Sequence, residues 1–159
     1  MNRNSIKEEN KADFLNINPK MDRGFMEHLL KNSINDLLIR GIVPIQVYTD
    51  LDFPEPYWKG FILNDESKPE FFHKLKAMAI DRSVSEMVFV SDVFLGDFNR
   101  SEFLKGEALL IYYDSKNKKA MLIQYYRRNA IGSVDLGEKQ YLENADFRGI
   151  GTNLIPRKL

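Results

Sequence analysis

EALLIYYDSKNKKAMLIQYYRR, residues 107–128, is the stretch whose reading decides the fold. Glu107–Asp114 and Lys119–Arg128 are two runs rich in the branched and aromatic side chains that suit strands. The connector Asp114-Ser115-Lys116-Asn117-Lys118 is short and polar, and Asn117 tolerates positive φ, so the pair predicts a β-hairpin. In the second run Met121, Ile123, Tyr125 and Arg127 share one side, while Leu122, Gln124, Tyr126 and Arg128 share the other. Neither side is purely polar. With helices covering one face, the second is expected to be covered by a partner subunit or the chain's own terminal arms, which makes a homodimer the first functional expectation.

Outward from the hairpin, Val84–Leu95 reads as a third extended run, and Ile131–Leu142 as a weaker strand broken by Gly132 and Gly137. Upstream, Phe25, Met26, Leu29, Leu30, Ile34, Leu37 and Leu38 recur every three or four residues from Asp22, with Gly41 as the C-terminal cap. That predicts a first helix. Ile42–Tyr48 is extended, with Pro44 placing it at an edge or a strand start. Asp50–Pro56 is loop because Pro54 and Pro56 each push the preceding residue out of the helical region, and Tyr57–Leu63 is a short strand. A second helix over Ser67–Arg82 follows from Pro69 in its first turn and from the spacing of Phe71, Phe72, Leu75, Met78 and Ala79. The sum is an α+β domain with two helices packed on one face of a mostly antiparallel sheet of about four to five strands. The expected division is a flexible N-terminal arm over residues 1–20, a single α+β domain over 21–148 and a C-terminal tail over 149–159 that is extended or loosely docked.

The 159 residues carry 23 basic and 23 acidic side chains, a formal net charge of +0, so no whole-molecule field attracts nucleic acid or an anionic membrane. With 43% hydrophobic residues there is enough apolar surface for a real core. The absence of cysteine excludes thiol nucleophiles, thiolate metal sites, iron–sulfur clusters and disulfides. No apolar run reaches signal-peptide or membrane-span length, so the expectation is a soluble cytoplasmic protein without a membrane role.

Chemical signatures are sparse. His28 and His73 both fall in helices with no second histidine at ligand spacing, and no G-x-S-x-G elbow or phosphate-cradling loop occurs. Gly149-Ile150-Gly151 lies in the tail, where it loosens the chain rather than binding phosphate. The best set of hard oxygen ligands is Asp50, Asp52 and Glu55, with Asp92 and Asp97 as further partners. A metal-dependent phosphodiester hydrolase built on them lacks the Glu-x-Lys that such an enzyme wants on a buried strand, since Glu9-Asn10-Lys11 and Glu66-Ser67-Lys68 fall in the arm and in a loop. Solvated loop acids are the simpler reading, and no cofactor is expected.

Two aromatic groupings remain. Tyr48, Phe53, Tyr57 and Trp58 crowd a proline-stiffened loop, the composition of a protein-binding surface or of a plug between helix and sheet. Tyr125, Tyr126, Arg127 and Arg128, with Lys118 and Lys119 and the neighbouring Tyr112, Tyr113 and Lys116, offer rings and cations for stacking on single-stranded nucleic acid. Alternation splits Tyr125 from Tyr126 across the sheet, which favours tyrosines bridging core and rim. The leading expectation is a non-enzymatic protein-binding or assembly domain acting through the aromatic loop. A nucleic-acid-binding hairpin and the metal-dependent hydrolase are the alternatives.

Overall fold

A computed structural model describes residues 20–60, 67–94, 107–144 and 155. The first helix, α1 (Arg23–Arg40), begins where Asp22 leaves the helical region and its carboxylate accepts the Phe25 N–H at 3.0 Å. It ends at Gly41, which adopts φ 73° and donates its N–H to the Leu37 carbonyl at 2.9 Å. Only glycine takes that conformation without strain. β1 (Gln46–Thr49) and β2 (Trp58–Lys59) follow, then α2 (Ser67–Asp81), β3 (Glu86–Phe94), β4 (Glu107–Ser115), β5 (Lys119–Arg128) and β6 (Val134–Glu143).

The strands form one antiparallel sheet in the order β2-β1-β3-β4-β5-β6. Among the described residues its strand count is six, above the four to five expected, because both the two-residue β2 and the long β6 join the ladder. Strand period decides what each helix meets. Val88 and Val90 of β3, Leu109, Ile111 and Tyr113 of β4, and Ala120, Leu122 and Tyr126 of β5 pack against Phe25, Met26, Leu29, Leu30 and Leu37 of α1. Their neighbours Met87, Phe89 and Tyr112, with Val47 of β1, pack against Phe72, Leu75 and Ala79 of α2. The helices thus lie on opposite faces of the sheet, which corrects the expectation of a single helical layer. It also supplies, within the chain, covers for the two apolar sides of the hairpin. Leu37, Val43, Leu109, Ile111 and Leu122 are fully buried, each contributing roughly 1.5–3 kcal/mol by leaving water.

The expected arm over residues 1–20 lies outside the described residues except for Lys20, as does most of the tail. Within that tail, however, Ile155 is 0% exposed and belongs to the α2-side core, and its N–H donates to Asp114 Oδ2 at 3.1 Å. A loosely docked segment would leave such a side chain in water, so at this residue the tail is core. Leu38, counted in the apolar stripe of α1, is instead 52% exposed. Among the described residues no helix is long and apolar enough to cross a membrane.

Candidate functional site

The aromatic loop is divided between the two faces. Tyr48 is buried, its hydroxyl donates to Gln46 Oε1 at 2.7 Å, and burial followed by the charge of Glu55 pushes its pKa up to about 12. Phe25 of α1 stands edge-on to both Tyr48 (centroids 5.2 Å apart) and Phe53 (4.9 Å). Trp58 lies on the other side, against Phe71 of α2 at 4.8 Å and over Gly60, where any Cβ would overlap the indole. Only Tyr57 turns outward, 41% exposed with the Arg82 guanidinium 4.7 Å from its ring centroid. These four residues do not make one continuous face.

The loop acids act as tethers. Asp50 accepts from the Ser85 N–H (3.0 Å), the Ser85 hydroxyl (2.8 Å) and the Glu86 N–H (3.3 Å), which fastens the loop to the start of β3. Asp52 takes both Arg82 guanidinium nitrogens at 2.9 and 3.3 Å and the Thr49 hydroxyl at 2.9 Å. The Arg82 hydrogen bonds hold its carboxyl below the usual carboxylate range. Glu55 is exposed, Asp92 accepts the Tyr126 hydroxyl, and Asp97 lies outside the described residues. Among the described residues no three His, Asp or Glu side chains converge as a metal site. His28 and His73 are both exposed on their helices.

On the hairpin, the rings that would stack on bases are inside. Tyr126 is buried on the α1 side with its hydroxyl on Asp92 Oδ1 at 2.7 Å, and burial together with that bond raises its pKa strongly. Tyr125 is buried on the opposite side, its hydroxyl 3.2 Å from Gln140 Oε1. Lys119 is buried in an ion pair with Asp114 at 3.1 Å, and Lys118 pairs with Glu143 at 3.1 Å. Arg128 spans Glu107 (3.1 Å) and the Gly41 carbonyl (2.7 Å), while Arg127 is exposed.

A cleft of about 440 Å³ opens where α1 starts over the β4–β5 turn, with Glu86, Tyr113, Ala120 and Tyr141 across its floor and Arg23 and Lys118 beside it. Its polar groups already answer one another. The Tyr113 hydroxyl donates to Glu86 Oε2 at 2.7 Å, the Tyr141 hydroxyl to Glu143 Oε1 at 2.6 Å, and the Arg23 guanidinium sits 3.9 Å from the Tyr141 ring centroid.

The opposite end of the molecule differs. There the exit of α1 exposes Leu38, Ile39 and Ile42, and the β5–β6 connection exposes Ile131 and, on β6, Leu136. The Arg128 bond to the Gly41 carbonyl joins these two elements. Ile39 is 82% and Ile131 86% exposed. Ile131 does not sit on a loose loop: Asn129 Oδ1 accepts the N–H groups of Ile131 (3.1 Å) and Ser133 (3.0 Å), the Asn129 N–H donates to the Ser133 carbonyl (2.9 Å), and Gly132 takes φ 85°. The turn therefore presents an isoleucine at its tip with little freedom left to lose on binding. Sequence reasoning passed over Ile39 and Ile131. The available signals were an isoleucine off the apolar stripe of α1 and an isoleucine between Ala130 and Gly132 in an otherwise polar turn. Compared with known proteins, the chain matches no family model, no curated protein and no solved structure.

Proposed function

We propose that the chain is a non-enzymatic protein-binding domain whose contact surface is the apolar end formed by Leu38, Ile39, Ile42, Ile131 and Leu136, rather than the aromatic loop. The observation that carries this reading is the pair of isoleucines at one end, 82% and 86% exposed, one of them on a hydrogen-bonded turn. Leaving large apolar side chains in water gains nothing for folding, and contiguous exposed apolar surface marks interaction sites. Of the aromatic loop, only Tyr57 is positioned to join a contact. The partner is another protein or a second copy of the chain, met in the cytoplasm. The nucleic-acid and metal readings draw no support from rings that are buried or from Asp50 and Asp52 carboxylates that are already engaged.

The test compares wild type with the pair Ile39→Asp and Ile131→Asp as baits, followed by reconstitution with the purified captured protein. Surface changes of this kind alter stability by no more than about 0.5 kcal/mol, while a hot spot contributes about 2 kcal/mol or more, a loss of some thirtyfold in affinity. The expected result is a 1:1 complex that the double variant fails to form although its melting temperature is unchanged. Equal binding by both baits would refute the reading.

A further inference from the structure

β6 is the outermost strand of the sheet among the described residues, and its backbone is arranged to pair with a second copy of itself. The Ser115 N–H donates to the Lys118 carbonyl at 2.9 Å, so residues 115 and 118 are a bonded pair of the β4–β5 hairpin. Alternation then turns the backbone groups of Lys119, Met121 and Ile123 away from β4 and toward β6. The Asn144 N–H duly donates to the Lys119 carbonyl at 2.8 Å, and the register continues as Met121↔Leu142 and Ile123↔Gln140. It follows that Lys139, Tyr141 and Glu143 direct their N–H and C=O groups out of the sheet.

Among the described residues this run is open, and it has a defined length. Below it the ladder shifts between Gln124 and Tyr126, and the Gln124 side-chain amide donates to the carbonyls of Gly137 (3.0 Å) and Glu138 (3.3 Å), turning them inward. Bulges and charged side chains are devices that blunt an edge against arbitrary strands. Here they leave one regular stretch, 139–143, whose side chains select among registers.

In a two-fold antiparallel pairing centred on Tyr141, the outward groups of both copies meet, Lys139 stands opposite Glu143 of the partner subunit, and Tyr141 stands opposite its own copy. Centring on Lys139 or on Glu143 would set like charges face to face, which is destabilising. Centring on Gln140 or Leu142 leaves the charges unmatched. Lys139, Tyr141 and Glu143 share the α1 side, where Lys139 reaches Glu27 and Tyr141 lies under Arg23. The present partners of Lys139 and Glu143, Glu27 and Lys118, form half-exposed pairs that exchange at little cost.

We infer that two copies of the chain associate through β6, extending the sheet across a two-fold axis at Tyr141 with Lys139–Glu143 pairs on either side, by a surface separate from the apolar end. The antiparallel pattern supplies about six interchain backbone hydrogen bonds.

Sedimentation velocity of the full chain tests this, with circular dichroism as the control for folding. Wild type should show the two-chain mass. Lys139→Glu or Glu143→Lys alone should weaken association about ten- to thirtyfold, because each replaces two attractive cross-strand pairs by two repulsive ones. The double exchange should return it to within about threefold. That rescue separates an interchain pair from the Glu27 and Lys118 contacts, which the double exchange leaves mismatched. In a chain without cysteine, Tyr141→Cys should oxidise to a covalent dimer, since opposed residues lie about 5.5 Å apart. Lys139→Cys should not, its copies being about 13 Å apart along the strand. A monomer at about 100 µM, additive damage from the two charge reversals, or no crosslink at position 141 would each overturn the inference. None of these results depends on Ile39 or Ile131.

Discussion

Lys119→Met should cost far more than its place beside a surface turn suggests. The Lys119 ammonium is paired at 3.1 Å with Asp114, and the two side chains are 4% and 0% exposed. Methionine keeps most of the aliphatic volume and removes the charge together with the ammonium's 3.4 Å contact to the Tyr112 hydroxyl, so the loss is of polar interactions rather than packing. Asp114 then retains the Ile155 N–H on Oδ2 but faces a methionine where its counter-ion stood. Removing one partner of a buried ion pair costs about 3–5 kcal/mol. With a urea m-value of about 2 kcal/mol/M, the midpoint falls by about 2 M. Asp114→Asn should cost a similar amount, since it strands the ammonium while preserving an acceptor for Ile155. Both substitutions together remove both charges and should cost only about 1–2 kcal/mol, giving a coupling of at least about 4 kcal/mol. Urea unfolding followed by Trp58 fluorescence and by far-UV circular dichroism provides the measurement, with coincident transitions as the check on two-state behaviour. A loss below about 1 kcal/mol for Lys119→Met, or a double variant as unstable as the sum of the singles, would refute the reasoning.

Ile155→Ala should cost about 2–4 kcal/mol in calorimetry because the residue is fully buried, whereas Ile131→Ala should stay within about 0.5 kcal/mol. Alkaline stability should fall from pH 10 toward pH 12. Tyr48, Tyr113 and Tyr141 are pushed up to about 12, chiefly by burial, and Tyr126 higher still. An acid whose folded pKa is raised contributes stability below its unfolded pKa, near 10, and loses it as pH climbs to the folded value. Urea midpoints at pH 9 and 11 measure the drop, and Tyr126→Phe should make it shallower.

The helices and the central hairpin were legible because each repeats its period over many residues. The run from Phe25 to Leu37 keeps one apolar stripe, and Glu107–Arg128 carries strand formers on both sides of a polar turn. Which face each helix covers was not legible. An apolar stripe tells that a helix is half-buried, while the partner face depends on how the chain crosses from β2 back to β3, and no local pattern encodes that crossing. β6 was hard to bound for another reason. It is an edge strand with most side chains in water and a shift in its ladder, so the alternation that marks a half-buried strand is diluted. Pairings such as Tyr126 with Asp92, 34 residues apart, are invisible to any local reading, and they are what withdraws the hairpin rings from solvent.

The two most exposed large apolar side chains among the described residues, Ile39 and Ile131, stand at the end away from the β4–β5 turn, while Leu51 and Ile80 are exposed nearer that turn. At the end where the β4–β5 turn lies, acids and hydroxyls answer one another: Asp114 with Lys119, Asp50 with Ser85, Glu86 with the Tyr113 hydroxyl. Such groups stabilise the fold and offer little to a ligand, since any newcomer must break a bond to make one. At the other end the backbone is equally well satisfied, by Asn129 within its turn and by Arg128 on Gly41, yet the side chains it holds out are Ile39, Ile42 and Ile131. An apolar contact there would displace only water. On the proposed reading, burying these side chains supplies the free energy of association, and the ordered turn beneath Ile131 reduces the entropy that binding must overcome.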